Sequence, residues 1–294
     1  MGSELIIGLG EILWDIFPDR KILGGAPANF AYHASQFGFE GYVVSAVGND
    51  KLGKEVFDNL HQKQLKHRIE IVDFPTGNVN ITVDANGIPE YEICKDVAWD
   101  NIPFTRKLEK LANYTRTVCF GSLAQRNEVS RQTIYRFIEA LPEDAIKIFD
   151  INLRQNFYTP EIIRKSLQFS DILKTNDDEI AVISALSGWK TKNEQEICEL
   201  LFNTYDLKMI VLTKGTQGSY VFTPNETSFK PTPLVKVADT VGAGDSFMAA
   251  FIAGILHDKN IAEAHQLAVD VAAFVCTQHG AMPTLPEELI NRIK

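Results

Sequence analysis

Short apolar segments rich in β-branched residues alternate along the chain with longer amphipathic segments. The pattern predicts strands over residues 4–9, 42–47, 117–120, 145–151, 172–175, 209–213 and 219–222. It predicts helices over residues 27–37, 53–65, 130–141, 160–169, 178–186, 194–205, 242–257 and 261–278. This alternation is typical of an α/β protein with a mostly parallel central sheet and helices on both faces. The uninterrupted apolar run over residues 209–212 supports that prediction, because parallel strands are buried on both sides.

One region interrupts the alternation. Residues 78–84 and 88–94 alternate apolar and polar side chains around Ala-Asn-Gly at 85–87, which favours a hairpin turn. No helix is predicted between the two segments. We therefore predict a single domain of residues 1–294 from which a small β-sheet projects as a lid.

One face of the predicted hairpin is apolar. It carries Val79, Ile81 and Val83. Because an exposed apolar patch of this kind marks an interaction site, we predict a homodimer that forms through the lid.

Composition and charge narrow the class of protein. The 294 residues are 45% hydrophobic and 23% charged, as in folded globular proteins, which excludes global disorder. Lys and Arg number 29 against 38 Asp and Glu; the net charge of −9 excludes a surface built for nucleic acid or for an anionic membrane. No basic segment precedes the first apolar run, and the longest apolar stretch is about half a membrane span. We therefore expect a cytoplasmic protein.

Three glycine-rich segments resemble nucleotide-binding motifs but lack a required residue. The G-x-G-x-x-G fingerprint fails after Gly8 because its last position is Leu13, and after Gly242 because that position is Phe247. The segment beginning at Gly48 matches G-x-x-x-x-G-K but continues with Glu55, where a hydroxyl would hold Mg²⁺. We therefore predict neither motif.

Residues 239–251 combine a glycine-rich turn with the start of a helix of small and apolar residues. Gly242 and Gly244 let the backbone approach a ligand, and the helix start presents unpaired N–H groups and a partial positive charge. The segment therefore predicts an anion-binding site. Asp245, in the same turn, could accept a proton from a hydroxyl that attacks a phosphorus atom held there. The alternative is an Asp that only stabilises the helix dipole.

A second cluster begins with the double glycine Gly24-Gly25, which leads into a helix carrying Asn29. Asp15 lies just beyond the first predicted strand. Asp, Asn and exposed glycine amides suit the hydroxyl groups of a polyol. The alternative is that these side chains are simply solvated.

The two clusters, in this order and at this separation, resemble the two signatures of the ribokinase-like (pfkB) family of carbohydrate kinases. Residues 24–31 are similar to the first signature and residues 239–251 to the second, and the resemblance extends over essentially the whole chain. Residues 176–179 are similar to the family's N-x-x-E motif. The resemblance implies a ribokinase-like fold whose lid comprises about residues 12–22 and 72–100.

The resemblance also implies an ATP donor, Mg²⁺ and in-line phosphoryl transfer to a sugar hydroxyl. Asp245 would be the catalytic base, and the amides of Gly242, Ala243 and Gly244 would stabilise charge on the transferring group. The remaining implied positions are Asp15, Gly24, Gly25, Asn29, Gln125 and Arg154 for the sugar; Glu179 for Mg²⁺ through water; Asn176, Glu179, Thr213, Lys214, Gly215 and Gly218 for the nucleotide; and Asp239, Val241, Val275, Gln278 and Gly280 for a monovalent cation such as K⁺.

The segments around Ala26-Pro27, 120–126 and 150–154 resemble the fructokinase branch, which implies conversion of fructose to fructose 6-phosphate. The alternative acceptors are ribose, 2-keto-3-deoxygluconate and a nucleoside. A phosphorylated acceptor would need several cationic side chains, and Lys95, Arg126 and Arg154 keep it open. An alternative of another class is a catalytically silent sugar-binding regulator.

Overall fold

The structure, a computed structural model, describes residues 4–83 and 89–293 and arranges them around a nine-stranded sheet and a four-stranded sheet. The strands are β1 (Leu5–Leu9), β2 (Leu13–Ile16), β3 (Lys21–Gly24), β4 (Glu40–Gly48), β5 (Lys66–Val72), β6 (Asn78–Val83), β7 (Pro89–Ile93), β8 (Thr115–Gly121), β9 (Ile146–Asp150), β10 (Ile172–Asn176), β11 (Met209–Thr213), β12 (Ser219–Phe222) and β13 (Thr227–Lys230).

The large sheet has the order β13-β12-β11-β10-β9-β8-β1-β4-β5. Neighbours from β11 to β5 are parallel, whereas β12 and β13 pair antiparallel at one edge. The prediction of a mostly parallel central sheet is therefore confirmed.

Helices cover the large sheet. They are α1 (Ala26–Gln36), α2 (Lys51–Gln62), α3 (Arg106–Ala112), α4 (Glu128–Glu139), α5 (Pro160–Phe169), α6 (Asp177–Leu186), α7 (Glu194–Thr204), α8 (Ala243–Leu256), α9 (Ile261–Cys276) and α10 (Glu287–Ile290). Among the described residues, no helix combines the length and the apolar character needed to cross a membrane.

The sheet buries side chains on both faces. In β1, Ile7 and Leu9 belong to the hydrophobic core that takes in α3 to α7, while Ile6 belongs to the core formed with α1, α8 and α9. Successive side chains of a strand point to opposite faces, so an apolar strand of this kind serves two helical layers. The predicted placement of helices on both faces is confirmed.

The predicted element boundaries differ from the observed ones mainly at polar edges. The strands over 209–213 and 219–222 and the helix over 160–169 match. The edge strands β5 and β13 were not predicted, because polar and charged side chains at their partly exposed positions hide the strand pattern. Edge strands commonly carry such residues.

The small sheet has the order β3-β2-β6-β7, with β2 and β6 parallel and the other pairs antiparallel. The predicted lid segments 12–22 and 72–100 supply these strands, although β3 continues to Gly24. The predicted turn at 85–87 lies outside the described residues.

The apolar face predicted to bind a second copy is covered by the chain itself. Val79 and Ile81 are only 6% and 4% exposed and belong to the same core as Trp99 and Ile93. The side chain of Val83 lies outside those described. The prediction of an exposed dimer patch at Val79 and Ile81 is therefore wrong, because both side chains are buried in the hydrophobic core of the chain itself.

Replacing Ile81 with Ala should lower the free energy of unfolding by about 2–5 kcal/mol, since it leaves a cavity in a buried position. Denaturant unfolding followed by circular dichroism measures the loss. The control is Thr82→Ala, an exposed position on the same strand, which should cost less than about 1 kcal/mol. Equal, small losses in the two variants would show that Ile81 is not buried.

Candidate active site

Polar and charged side chains gather where the parallel strands end. Glu11 follows β1, and Asp150 ends β9. Lys174 and Asn176 lie in the C-terminal half of β10. Cross-strand register places Asp150 opposite Lys174 and Asn176 opposite Thr213. In α/β sheets, ligands bind in the crevice outside the carboxyl ends of the strands.

The glycine-rich turn forms the N-terminus of α8 at this edge. Gly242 is the N-cap residue with φ +79°, a left-handed conformation that favours glycine. The first helical hydrogen bond runs from the Ser246 N–H to the Gly242 carbonyl at 2.9 Å, so the Gly244 and Asp245 N–H groups precede it. The Ala243 N–H points instead to the Thr240 carbonyl at 3.3 Å. The predicted anion-binding site therefore centres on the Gly244 and Asp245 N–H groups, because the Ala243 N–H is already partnered.

Asp245 is held by the helix of the other signature. The Asn29 side-chain amide donates to Asp245 Oδ2 at 2.7 Å, and Oδ1 takes no part in this hydrogen bond. Burial and the neighbouring Asp150 carboxylate raise the pKa of Asp245 to about 6. Asp245 is thus a stronger base than an exposed Asp, and it is still ionised at neutral pH.

A buried ion pair lies beneath the turn. Lys174 Nζ donates to Asp150 Oδ1 at 3.0 Å, and both side chains are nearly inaccessible to solvent. Although burial alone would lower the pKa of Lys174, the negative charges of Asp150, Glu179 and Asp245 raise it, so the ammonium stays charged. Its Nζ lies 3.0 Å from where a Cβ would stand on Gly244. The turn predicted to bind an anion therefore has a fixed positive charge directly beside it.

The double glycine brings the predicted sugar residues together. A Cβ on Gly24 would stand 2.8 Å from Asp15 Oδ2, and a Cβ on Gly25 would stand 2.4 Å from the Glu11 carbonyl oxygen. Burial raises the pKa of the half-buried Asp15 carboxyl to about 6, while the charge of Arg154 opposes the rise. Asn29 Oδ1 is buried without a hydrogen-bond partner among the described residues. We call Asp15, Gly24, Gly25 and Asn29 the sugar corner, since they are residues predicted to bind the sugar. In it, Asp15 and Asn29 present acceptor oxygens.

Glu11, absent from the predicted site, lies against the same corner. It is 3% exposed, and its Oε2 has no hydrogen-bond partner in the described part of the chain. Burial raises its pKa to about 7, and the charge of Asp245 adds to the rise. Glu11 thus joins Asp15 and Asp245 as a third carboxyl group with an elevated pKa at the carboxyl edge of the sheet.

Arg154 faces this group of acids from the exposed side. Its guanidinium donates to its own neighbour, the Leu153 carbonyl, at 3.1 Å. Burial raises the pKa values of Glu11, Asp15 and Asp245, and the positive charge of the exposed Arg154 opposes the rise at each of them.

Gln125 does not reach the site. It is fully buried, and its side-chain amide donates to the Gly121 carbonyl at 2.8 Å and to Ser166 Oγ at 2.9 Å. The predicted contact of Gln125 with a sugar is wrong, because its polar atoms are engaged within the core.

Asn176 and Glu179 form a reciprocal cap at the start of α6. The Glu179 N–H donates to Asn176 Oδ1 at 2.8 Å, and the Asn176 N–H donates to Glu179 Oε2 at 3.0 Å. Glu179 Oε1 accepts from the Leu153 N–H at 2.9 Å. Burial raises the pKa of Glu179. The motif therefore fixes a buried carboxyl next to the Asp150–Lys174 pair.

The predicted nucleotide-binding residues form a tight turn after β11. Gly215 and Gly218 have φ values of +51° and +108°, and the Lys214 N–H donates to the Gly218 carbonyl at 2.9 Å. Thr213 leads into the turn and its Oγ1 lies 3.4 Å from the Thr175 carbonyl oxygen. The ammonium of Lys214 forms an ion pair with Glu194 at 2.7 Å. Glu194 therefore engages the Lys214 charge, and backbone hydrogen bonds within the turn close it.

The predicted cation-binding segments also meet. Asp239 accepts from the Val241 N–H at 3.0 Å through Oδ1 and from the Gly280 N–H at 3.3 Å through Oδ2. The Gln278 N–H donates to the Val275 carbonyl at 3.0 Å. The two segments therefore form one loop cluster beside the glycine turn.

The residues that sequence reasoning missed carry a recognisable signal. Glu11 and Lys174 are charged residues at the carboxyl ends of otherwise apolar strands, and Asp150 ends a third. A charge in that position must be paired or functional when it is buried. Charged residues at the carboxyl ends of apolar strands therefore mark this edge of the sheet in the sequence itself.

Known proteins resemble this chain over nearly its full length. An uncharacterized sugar kinase of Pyrococcus horikoshii is 26% identical, with 99% of this chain and 94% of the relative covered. An ATP-dependent 6-phosphofructokinase of Thermoanaerobacterium thermosaccharolyticum is 28% identical (98% and 92% covered), and a fructokinase of Solanum tuberosum is 27% identical (98% and 94% covered).

The fold agrees with these sequence relationships. The structure of the Pyrococcus sugar kinase superposes with a TM-score of 0.83 at 25% identity, covering 98% of this chain and 97% of the other, and that protein has also been solved in complex with ATP. The profile of the pfkB family of carbohydrate kinases matches residues 18–288. The chain, with its ribokinase-like fold and paired signatures, belongs to the pfkB family of carbohydrate kinases.

Proposed function

We propose that this kinase transfers the γ-phosphoryl group of ATP to a hydroxyl group of fructose, forming fructose 6-phosphate. The observation that carries the proposal is the carboxylate of Asp245, held by Asn29 at 2.7 Å at the N-terminus of α8. A base and an anion-binding turn in one place suit transfer of a phosphoryl group to a hydroxyl.

In the proposed reaction, the sugar hydroxyl gives its proton to Asp245 Oδ1 while its oxygen forms a bond to the γ-phosphorus. The bond from that phosphorus to the bridging oxygen breaks, and ADP leaves. A pKa of about 6 suits this role, because the carboxylate is ionised at neutral pH yet more basic than usual. The Asn29 hydrogen bond keeps the carboxylate oriented.

Charge on the transferring group is stabilised by fixed donors. The Gly244 and Asp245 N–H groups and the Lys174 ammonium lie at the turn, where they need no reorganisation. The Asp150 pair keeps Lys174 in place. These groups stabilise the negative charge that develops on the phosphoryl oxygens.

The donor set fits Mg²⁺ held through water. Each oxygen of Glu179 accepts one backbone N–H, so the carboxylate keeps lone pairs for metal-bound water. When bound, Mg²⁺ would neutralise charge on the ATP phosphates. Backbone carbonyls at Val241, Val275, Gln278 and Gly280, with Asp239, suit a monovalent cation such as K⁺.

The nucleotide would lie along the turn after β11. Thr232 Oγ1 donates to the Gly215 carbonyl at 2.6 Å, which holds the following segment beside the turn. In that segment Leu234 is fully exposed and Val237 is 57% exposed. We propose that these apolar side chains contact the adenine ring.

The sugar corner supports a neutral polyol as acceptor. Asp15 and Asn29 offer oxygens to sugar hydroxyls, and the potato relative is a fructokinase. A phosphorylated acceptor is disfavoured, because Arg126 is bound to both oxygens of Asp100 and stacked 4.1 Å from the Trp99 ring centre. That leaves fewer cations to hold a phosphate.

A second candidate acceptor is a sugar acid such as 2-keto-3-deoxygluconate. The observation that favours it is the exposed guanidinium of Arg154, whose charge opposes the burial-driven rise in the pKa of Asp15. Arginine recognises carboxylates through paired hydrogen bonds.

Replacing Asp245 with Asn should lower kcat about 10²–10⁴-fold, because the general base is lost. The KM values for fructose and ATP should change little, since the amide keeps the size and the Asn29 contact of the carboxylate. Steady-state ADP release measures both. Asp19→Asn removes an exposed charge as the control. Turnover of the Asp245 variant within tenfold of wild type would refute the role of Asp245.

The same substitution should stabilise the fold at pH 8. Burial raises the pKa of Asp245 from 3.8 to about 6, so its ionisation costs folding about 1–3 kcal/mol above pH 6. Below about pH 4 the group is protonated in both folded and unfolded states, and the cost vanishes. We expect Asp245→Asn to melt several degrees above wild type at pH 8, with the gap closing towards pH 4. A lower melting temperature at pH 8 would contradict this.

An acceptor panel decides between the two candidates. We expect fructose to give a kcat/KM at least about tenfold above those of ribose, 2-keto-3-deoxygluconate, fructose 6-phosphate and adenosine. Arg154→Gln should then change the KM for fructose by less than about tenfold, with Lys95→Gln as the control for a lost positive charge. Preference for the acid, with a loss above about 100-fold in Arg154→Gln, would favour the second candidate.

A further inference from the structure

Helix α1 carries a polar stripe that continues beyond the sugar corner. Asn29, His33 and Gln36 stand at positions i, i+4 and i+7, so they lie along one face of the helix. Asn29 holds the catalytic carboxylate. His33 and Gln36 have no part in the proposed chemistry, yet His33 is completely buried.

Both side chains bind the segment 281–285, which follows the predicted cation loop. His33 Nε2 lies 2.9 Å from the Ala281 carbonyl oxygen. Gln36 donates to the Pro283 carbonyl at 3.3 Å and accepts from the Leu285 N–H at 2.7 Å. Lys63, just after α2, donates to the Met282 carbonyl at 3.0 Å. Side chains from two helices therefore hold the backbone of this segment along its length.

The protonation state of His33 follows from its partners. Burial lowers its pKa to about 4, with the nearby charge of Lys63 acting in the same direction and the Ala281 hydrogen bond opposing it. A carbonyl only accepts, so Nε2 must carry the proton. Nδ1 then accepts from the Gln36 amide at 3.3 Å. The ring is thus a neutral, oriented donor in a fully used hydrogen-bond chain.

The segment that His33 holds packs directly against Gly242 in the turn proposed to bind the phosphoryl group. A Cβ on Gly242 would stand 2.7 Å from both the carbonyl oxygen and the Cβ of Ala281. The adjacent Gly280 N–H donates to Asp239, whose other oxygen accepts from Val241. A shift of the Ala281 backbone would therefore change the packing of Gly242, the N-cap residue of α8.

We propose that His33, supported by Gln36, is a positioning residue that fixes the Ala281 backbone against Gly242 and so sets the geometry of the phosphoryl-binding turn. Helix α1 then carries two positioning residues. Asn29 orients the Asp245 carboxylate, and His33, one turn later, holds the Ala281 backbone against the turn that carries the Gly244 and Asp245 amides. This inference rests on the proposed kinase activity only where turnover is the readout. Misplacement by about 1 Å can cost roughly 100-fold in rate.

Two variants and a matched control test the role of His33. His33→Leu removes the donor and should lower kcat about 10–100-fold with the KM for fructose within about threefold. His33→Gln returns an N–H donor of similar reach and should restore kcat to within about threefold of wild type. Thr133→Val removes a comparable buried bond, to the Ile102 carbonyl at 2.7 Å, and should lower the melting temperature without lowering kcat.

Hydrogen exchange separates this inference from the proposed function. In His33→Leu, amides of residues 238–246 should exchange at least about fivefold faster than in wild type, and in Thr133→Val they should not. If wild type consumes no ATP with any acceptor, the kinase assignment fails while the exchange result still decides the positioning role. Should His33→Leu not fold, the half-buried Gln36→Met takes its place. Unchanged exchange at 238–246, or a kcat matching that of Thr133→Val, would overturn the proposal.

Discussion

The hydrogen bond from Asn29 to Asp245 joins the two helices that carry the paired signatures, and the rest of the site depends on it. Its length of 2.7 Å can be kept only if α1 and α8 hold their places on the sheet. Gly8 makes this possible for α1, because a Cβ there would stand 1.9 Å from the Pro27 carbonyl oxygen. The first turn of α1 therefore lies directly on β1, with Phe30 and Phe247 in one core beneath the site.

The electrostatics of the site differ from those of the whole protein. The chain has a net charge of −9, and several of its carboxyl groups lie at the carboxyl edge of the large sheet, where burial raises the pKa values of Glu11 and Asp245. Lys174, Arg154 and the N-terminus of α8 offset them over a few ångströms, where water screens little. A polyanion can therefore bind an acidic protein at this edge.

The features that the sequence predicts are those that a local pattern of residues determines. The glycine turn, Asp245, Asn29 and the sheet architecture follow from motifs and hydrophobic periodicity. It failed where a role depends on what packs against a residue from far along the chain. Gln125 is engaged by Ser166 of α5, and His33 faces a carbonyl 248 positions away. The alternating pattern around Ile81 likewise predicts an exposed apolar face, but in the fold Ile81 is buried in the same core as Trp99.

In the mechanism we propose, an ionised Asp245, oriented by Asn29, accepts the sugar's proton. The pH dependence of kcat/KM for fructose in wild type tests this role. Burial raises the pKa of Asp245 to about 6 and that of Glu11 to about 7, and the charge of Asp245 adds to the rise at Glu11. The charges of Asp150, Lys174 and Arg154 also act on Asp245, as does its hydrogen bond from Asn29. We expect a constant kcat/KM above pH 8 that falls about tenfold per pH unit below pH 6, because protonated Asp245 cannot accept the proton. A profile that stays flat from pH 8 to pH 5 would contradict it.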